Sequence, residues 1–171
     1  AIPGTVLAIG LMLSLGKIDH AVADFFEFKL GIHTGLLFLG TTFTLIYAYS
    51  VRFLAIAIGG IESGYNRIHG VFDDAAQNLG RNQFLILKEV HLPLLRPAII
   101  SAALLIFVDC MKELPATLLL RPLNMETLAT QLYAEASRGT YEDGAIAALL
   151  IVLVGLIPVI LLARMSKVLN K

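Results

Sequence analysis

The sequence predicts an all-α protein, a polytopic transmembrane helical bundle of about four spans. Two observations carry this. Hydrophobic residues are 57% of the 171 and charged residues 15%, with a mean hydropathy of +0.80, an apolar excess well beyond that of an ordinary soluble domain. The apolar residues also gather in runs approaching the roughly 20 residues that a spanning helix needs, which a soluble core of this size would not require. That composition makes the lipid bilayer the expected partner; the formal net charge of zero suggests neither nucleic acid nor an acidic surface, and leaves the information in where the charges sit.

The first run, from about Ile2 to Leu15, is short for a span. The chain opens Ala1-Ile2-Pro3 without a basic region, so it does not read as a signal peptide and is expected to begin inside a larger subunit. The second run extends from about Leu36 to Ile58, the third from Pro97 to about Met111, and the fourth, the cleanest, from Ala145 to Ala163. Asp109, Lys112 and Glu113 interrupt the third before a second apolar patch, Ala116 to Leu120, and are expected to sit at its outer end.

Lysine and arginine in the flanks set the orientation. Arg67, Arg81, Lys88 and Arg96 lie between the second and third runs, and Arg164, Lys167 and Lys171 follow the fourth, so both regions are expected to be cytoplasmic. The connections from Lys17 to Thr34 and from Lys112 to Gly144 are acid-rich, with Asp19, Asp24 and Glu27 in one and Glu113, Glu126, Glu135, Glu142 and Asp143 in the other, and should face outward. Arg52 falls inside the second run close to Tyr47 and Tyr49; it reads as an interfacial arginine beside an aromatic belt, the alternative being an intramembrane arginine facing a pore or partner helix. Gly31-Ile32-His33-Thr34-Gly35 has small-xxx-small spacing but straddles a loop end.

A polar insert separates the second and third runs. Val71, Phe72, Ala75, Ala76 and Leu79 recur at the spacing of one helix face, with Asp73, Asp74, Gln77 and Asn78 filling the other. Gly80 follows, where a left-handed residue ends a helix most easily. Asn82 can cap a second helix running through Phe84, Leu85, Leu87 and Lys88 and ending before Pro93, and Pro97 suits the first turn of the third span. Such a helix can dock in a groove on another protein or pack on this chain's own spans; Asp73 and Asp74 argue against one lying on a lipid surface.

The insert resembles the cytoplasmic signature loop of the permease subunits of binding-protein-dependent ABC importers, in which Glu-Ala-Ala, three residues, Gly, nine residues and Ile-x-Leu-Pro follow one another. Here the match is Asp74-Ala75-Ala76, Gly80 and Val90-His91-Leu92-Pro93, with every interval kept and Asp for Glu and Val for Ile. "IPGTVLAIGL", "YAYSVRFLAIAIGGIESGYNRI" and "KELPATLLLRPLNMETLATQLY" are similar to the ferric-iron branch, the iron assignment resting on Lys112 to Pro122.

The resemblance implies a type I ABC importer permease fold, with this chain as a C-terminal fragment and its coupling loop at about 62–96. It implies a multi-pass protein of the bacterial inner membrane, with the loop and C-terminus cytoplasmic. The implied partners are a cytoplasmic ABC ATPase, an external substrate-binding protein and a second permease half, fused or separate. In the loop, Ala75 and Ala76 would allow close approach, Asp74 would meet a basic group, Gly80 would set the corner, and Val90, Leu92 and Pro93 would complete the motif. The cargo is expected to be ferric iron, with thiamine, polyamine, sulfate or molybdate as alternatives.

The chain lacks a Gly-x-x-x-x-Gly-Lys-Ser/Thr phosphate loop, so it is expected not to be an enzyme, hydrolysis falling to a partner. No cofactor or resident metal is expected: His20, His33, His69, His91 and the lone Cys110 have no ligand spacing and read as scattered loop histidines and an unpaired thiol. Asp109 and Glu113 would share a helix face if the helix persists, and could then line a cation path; the alternative is ion pairing at the span's end. Two further readings of the whole chain are an ion-coupled secondary transporter, for which Arg52 and the Pro115 region leave room, and a membrane scaffold.

Overall fold

The computed structural model describes residues 3–31, 33 and 35–169, with side chains as far as Arg164. The described residues contain helices and no strand, as the apolar runs require, because a chain in lipid must satisfy its backbone groups internally. Four helices are long and apolar enough to cross a membrane: Gly4–Lys29, Thr42–Tyr65, Gln83–Met111 and Tyr141–Arg164. The chain divides into two compact units, Ala1–Phe53 with Asp109–Val154 and Leu54–Val108 with Gly155–Lys171.

In the first unit, α1 (Gly4–Leu30) starts after Pro3 and ends at Gly31, whose left-handed φ of 64° lets its N–H bond back to the carbonyls of Glu27 and Phe26. The helix therefore runs through Lys17, Asp19, Asp24 and Glu27, where the end of the apolar run predicts a loop. Asp19 is tolerated there because it is buried and its carboxylate accepts the backbone N–H groups of Leu37, Phe38 and Leu39 at 2.8–3.1 Å. Residues 36–41 are consequently a turn, and α2 (Thr42–Tyr65) starts later than expected, with Thr41 and Thr44 hydroxyls donating to Phe38 O at 2.6 Å. The Gly31–Gly35 spacing includes Ile32 and Thr34, which lie outside the described residues, as do Ile2 and Lys171.

The charged interruption after the third run is a true break. One helix stops at Met111, and α6 (Pro115–Leu120) restarts with Pro at its first turn. Ala116 and Leu120 join Ala8, Leu45 and Ala48 in the unit's apolar core, with Leu7, Leu11, Tyr49 and Met125 packed around it. Thr127 and Thr130 form a reciprocal cap that starts α7 (Leu128–Arg138), and Gly139 at φ 79° ends it. Neither α6 nor α7 was anticipated as an element. The last helix, α8 (Tyr141–Leu169), begins in this unit and contributes its second half to the other.

In the second unit the insert folds as α3 (Val71–Asn78), a corner at Gly80, and α4 (Gln83–Ile86), which passes through a π-helical turn, Leu87–His91, into α5 (Leu92–Met111). The expected break before Pro93 does not occur, and Pro97 lies inside α5, not in its first turn. The π turn is the reason: the Leu92 N–H reaches back five residues to Leu87 O, so the chain resets its hydrogen-bond register immediately before a proline that can donate none.

Candidate functional site

The insert is built by local rules. Asp73 and Asp74 occupy the first turn of α3, where carboxylates complement the helix dipole. Gly80 takes φ 76°, a conformation costly for any residue with a Cβ, and the Arg81 N–H returns to Ala76 O at 3.0 Å to close the corner. Asn82 then caps α4 by accepting the Leu85 N–H at 2.9 Å. Arg81 reaches over the corner to Glu89 at 3.2 Å.

The motif residues are divided between surface and interior. Asp74, Ala75, Gly80, Leu92 and Pro93 are exposed, Val90 is half-buried, and Ala76 is buried. Around them Val71, Phe72, Leu79 and Phe84 present apolar side chains outward, so α3 does not bury its apolar face against its own unit. Of the apolar face of α3, Ala76 is the residue that is buried.

His91 is neither a loop residue nor scattered. It lies in the π turn, buried, with Nε2 2.7 Å from Asp73 Oδ1 and its ring stacked on Tyr65 at 5.1 Å between centroids. The α2 and α5 segments of this unit meet through small residues. A Cβ added to Gly60 would come within 2.8 Å of the Ala102 Cβ, and one on Gly64 would collide with Ala98. Gly60-xxx-Gly64 facing Ala98-xxx-Ala102 is thus a close-packed seam of the small-residue kind, at a position the sequence reading passed over in favour of Gly31–Gly35.

The acids considered for a cation path lie in the first unit and do not share a helix face, because the helix ends at Met111 between them. Asp109 pairs with Lys112 at 2.9 Å. Glu113 is 5% exposed; its Oε2 meets Arg52 Nη2 at 2.9 Å, and its Oε1 accepts the Ala116 N–H at 3.1 Å, capping α6. Arg52 is the eleventh residue of a 24-residue helix, mostly buried, and engaged by an acid, a protein partner that neither Tyr47 nor Tyr49 signals. Gly4 makes room for the pair, since a Cβ there would overlap Arg52 Nη1 and approach Glu113 Oε1 to 2.8 Å. Tyr49 and Thr117 hydroxyls bond one turn away. Among the described residues no group of three or more metal-ligating side chains converges.

The chain is 31% identical over 96% of its length to the Fe(3+)-transport system permease protein FbpB 2 of Haemophilus influenzae, covering 29% of that protein. It is 30% identical over 75% of its length to the putative 2-aminoethylphosphonate transport system permease protein PhnV of Salmonella typhimurium, covering 48%, and 28% identical over 77% to the ferric transport system permease protein FbpB of Actinobacillus pleuropneumoniae, covering 19%. The chain is similar to permease proteins of transport systems, those for ferric iron among them. It thus spans less than half the length of these relatives. No family model matches it, and no solved structure does. Those relatives are transport-system permeases, and the four long apolar helices of this chain fit a multi-pass membrane protein.

Proposed function

We propose that the chain is the C-terminal part of a permease that carries ferric iron, delivered by an external binding protein, across the bacterial inner membrane, with the insert coupling it to a cytoplasmic ATPase. The observation that carries the reading is α3: an eight-residue helix with Asp73 and Asp74 in its first turn, followed by a left-handed glycine, with Val71 and Phe72 on it and Leu79 and Phe84 beyond it exposed on a chain similar to transport-system permeases. A helix in this form is suited to a groove on a partner. Arg67, Arg81, Lys88 and Arg96 around it favour a cytoplasmic location for the insert, and the same rule puts the C-terminus there.

In this reading ATP binding and hydrolysis by the partner move α3, and the motion passes through the π turn into α5 as a rigid-body displacement. Asp74 meets a basic group, Ala75 allows close approach, and Gly80 fixes the angle, with Val90, Leu92 and Pro93 joining the insert to the span. Both acids offered for a cation path are paired, Asp109 with Lys112 and Glu113 with Arg52, and Asp109 is the more accessible of the two.

The PhnV similarity supports a second cargo, an aminoethylphosphonate. One experiment addresses both: ATP hydrolysis by the full-length permease, reconstituted with its ATPase, on adding ferric-loaded or aminoethylphosphonate-loaded binding protein. Stimulation by the ferric form, lost in Gly80→Leu, is the expected result. Stimulation by the phosphonate form alone replaces the cargo, and failure of an ATPase to associate rejects the importer reading. Leucine at Gly80 meets open space, so its effect comes from a backbone strain of about 1–2 kcal/mol and not from a clash.

A further inference from the structure

Asp73 and His91 stand just outside the residues that define the motif: one precedes Asp74-Ala75-Ala76, and the other fills the unspecified position in Val90-His91-Leu92-Pro93. Separated by 18 residues, they nevertheless meet at 2.7 Å. The bond closes the insert on itself, joining the first turn of α3 to the π turn that leads into α5.

Three features indicate that the closure is a built device. The π turn takes in one residue more than an α-helical turn, which shifts the face on which the next residue falls by about 100°, and His91 is the last residue of that turn. The imidazole is buried, and its Nδ1 has no protein partner, so the arrangement accepts an unsatisfied polar atom to keep Nε2 on Asp73. The ring also lies against Tyr65, the last residue of α2, with 17° between the planes. One side chain therefore touches the ends of two long helices and the start of α3.

We propose that Asp73 and His91 are positioning residues for coupling: their bond fixes α3 to the π turn, so that a push on α3 moves α5 and is not absorbed by rotation about Gly80. The inference rests on the coupling role proposed for the insert. Without the bond, α3 is joined to α4 through the Gly80 corner, closed by the Arg81 N–H on Ala76 O, while the half-exposed Arg81–Glu89 pair lies beyond that corner and does not reach α3. The bond to Asp73 is charge-assisted and shielded on the His91 side, and it is a side-chain restraint that ties α3 itself to the π turn.

The test compares transport per ATP hydrolysed by the full-length permease, with its ATPase and loaded binding protein, in proteoliposomes. His91→Phe keeps a ring against Tyr65 and removes the donor; Asp73→Ala removes the acceptor. Each is expected to leave the ATPase bound while transport per ATP falls about tenfold, the order set by loss of one charge-assisted hydrogen bond. The double variant should be no worse than either single one. His91→Gln and Asp73→Asn, which keep a donor and an acceptor at the same places, should recover most of the loss, a rescue that filling space would not produce.

Unchanged coupling in His91→Phe and Asp73→Ala, with Gly80→Leu uncoupled, would overturn the inference and leave the coupling role intact. If the native chain binds no ATPase, both fall together. Should a variant lose the ATPase altogether, amide exchange in α3 of the full-length permease decides: faster exchange in His91→Phe, restored in His91→Gln, supports the bond as the restraint, and unchanged protection overturns it.

Discussion

The two compact units treat polar groups differently. In the unit of Ala1–Phe53 and Asp109–Val154, Asp19 and Glu113 are almost inaccessible, and each is answered from within: Asp19 by three backbone N–H groups, Glu113 by Arg52 and the first turn of α6. In the other unit the buried His91 bonds to the partly exposed Asp73, while Val71, Leu79 and Phe84 stay 72%, 82% and 71% exposed. The first unit answers its buried carboxylates from within. The second leaves an apolar surface that its own residues do not cover, as expected of a segment whose partner is another protein.

The contrast is broken most directly at Glu113. Its removal would strand Arg52, mostly buried and already holding one Nη1 without an acceptor. Glu113→Ala or Arg52→Ala should therefore lower stability in detergent by about 3 kcal/mol, measured by chemical denaturation, whereas the paired replacement Arg52→Met with Glu113→Leu should recover most of that loss. Equal loss in the single and paired variants would mean that the first unit does not depend on internal charge matching.

In the second unit the seam of small residues is the next point of attack. Gly64→Leu forces a side chain into Ala98, and overpacking of this kind costs about 1–3 kcal/mol. Ala98→Gly in the same chain should relieve part of it, and the measurable outcome is a lowered and then partly restored thermal midpoint. If Gly64→Leu is tolerated with no change, the seam does not hold the insert's flanking helices.

Which of these features could be read from sequence depended on the distance between the residues that make them. The α3 helix, the Gly80 corner and the Asn82 cap are local, each fixed by neighbours within four residues, and they appear where the spacing put them. Asp19 follows the end of the first apolar run near Leu15 and so reads as part of a loop, whereas the N–H groups that let it sit in a helix come 18–20 residues later. Pro93 signalled a helix end by a sound local rule, which the π turn circumvents. Arg52 looked interfacial because Tyr47 and Tyr49 are near in sequence, while its partner Glu113 is 61 positions away. His91 carried no signal at all: a lone histidine in a motif's unspecified position gains meaning only from Asp73 and Tyr65 beside it.

The smallest expected effect tests whether internal matching in the first unit extends to its surface. Glu126, half exposed, is held below the usual carboxylate range first by its hydrogen bond to Arg121 and then by one from the Thr130 hydroxyl, and it sits at the capped start of α7. A carboxyl whose folded pKa is depressed contributes stability that is fully present above its unfolded pKa and is lost as pH falls through the folded value. Acidification below the ordinary glutamate range should thus fray the first turn of α7, seen as faster exchange of the Thr130 and Gln131 amides. Arg121→Met should move the onset of fraying to higher pH. Because the pair is open to solvent, salt should weaken the effect, in contrast to the shielded Arg52–Glu113 pair, which should respond little to salt.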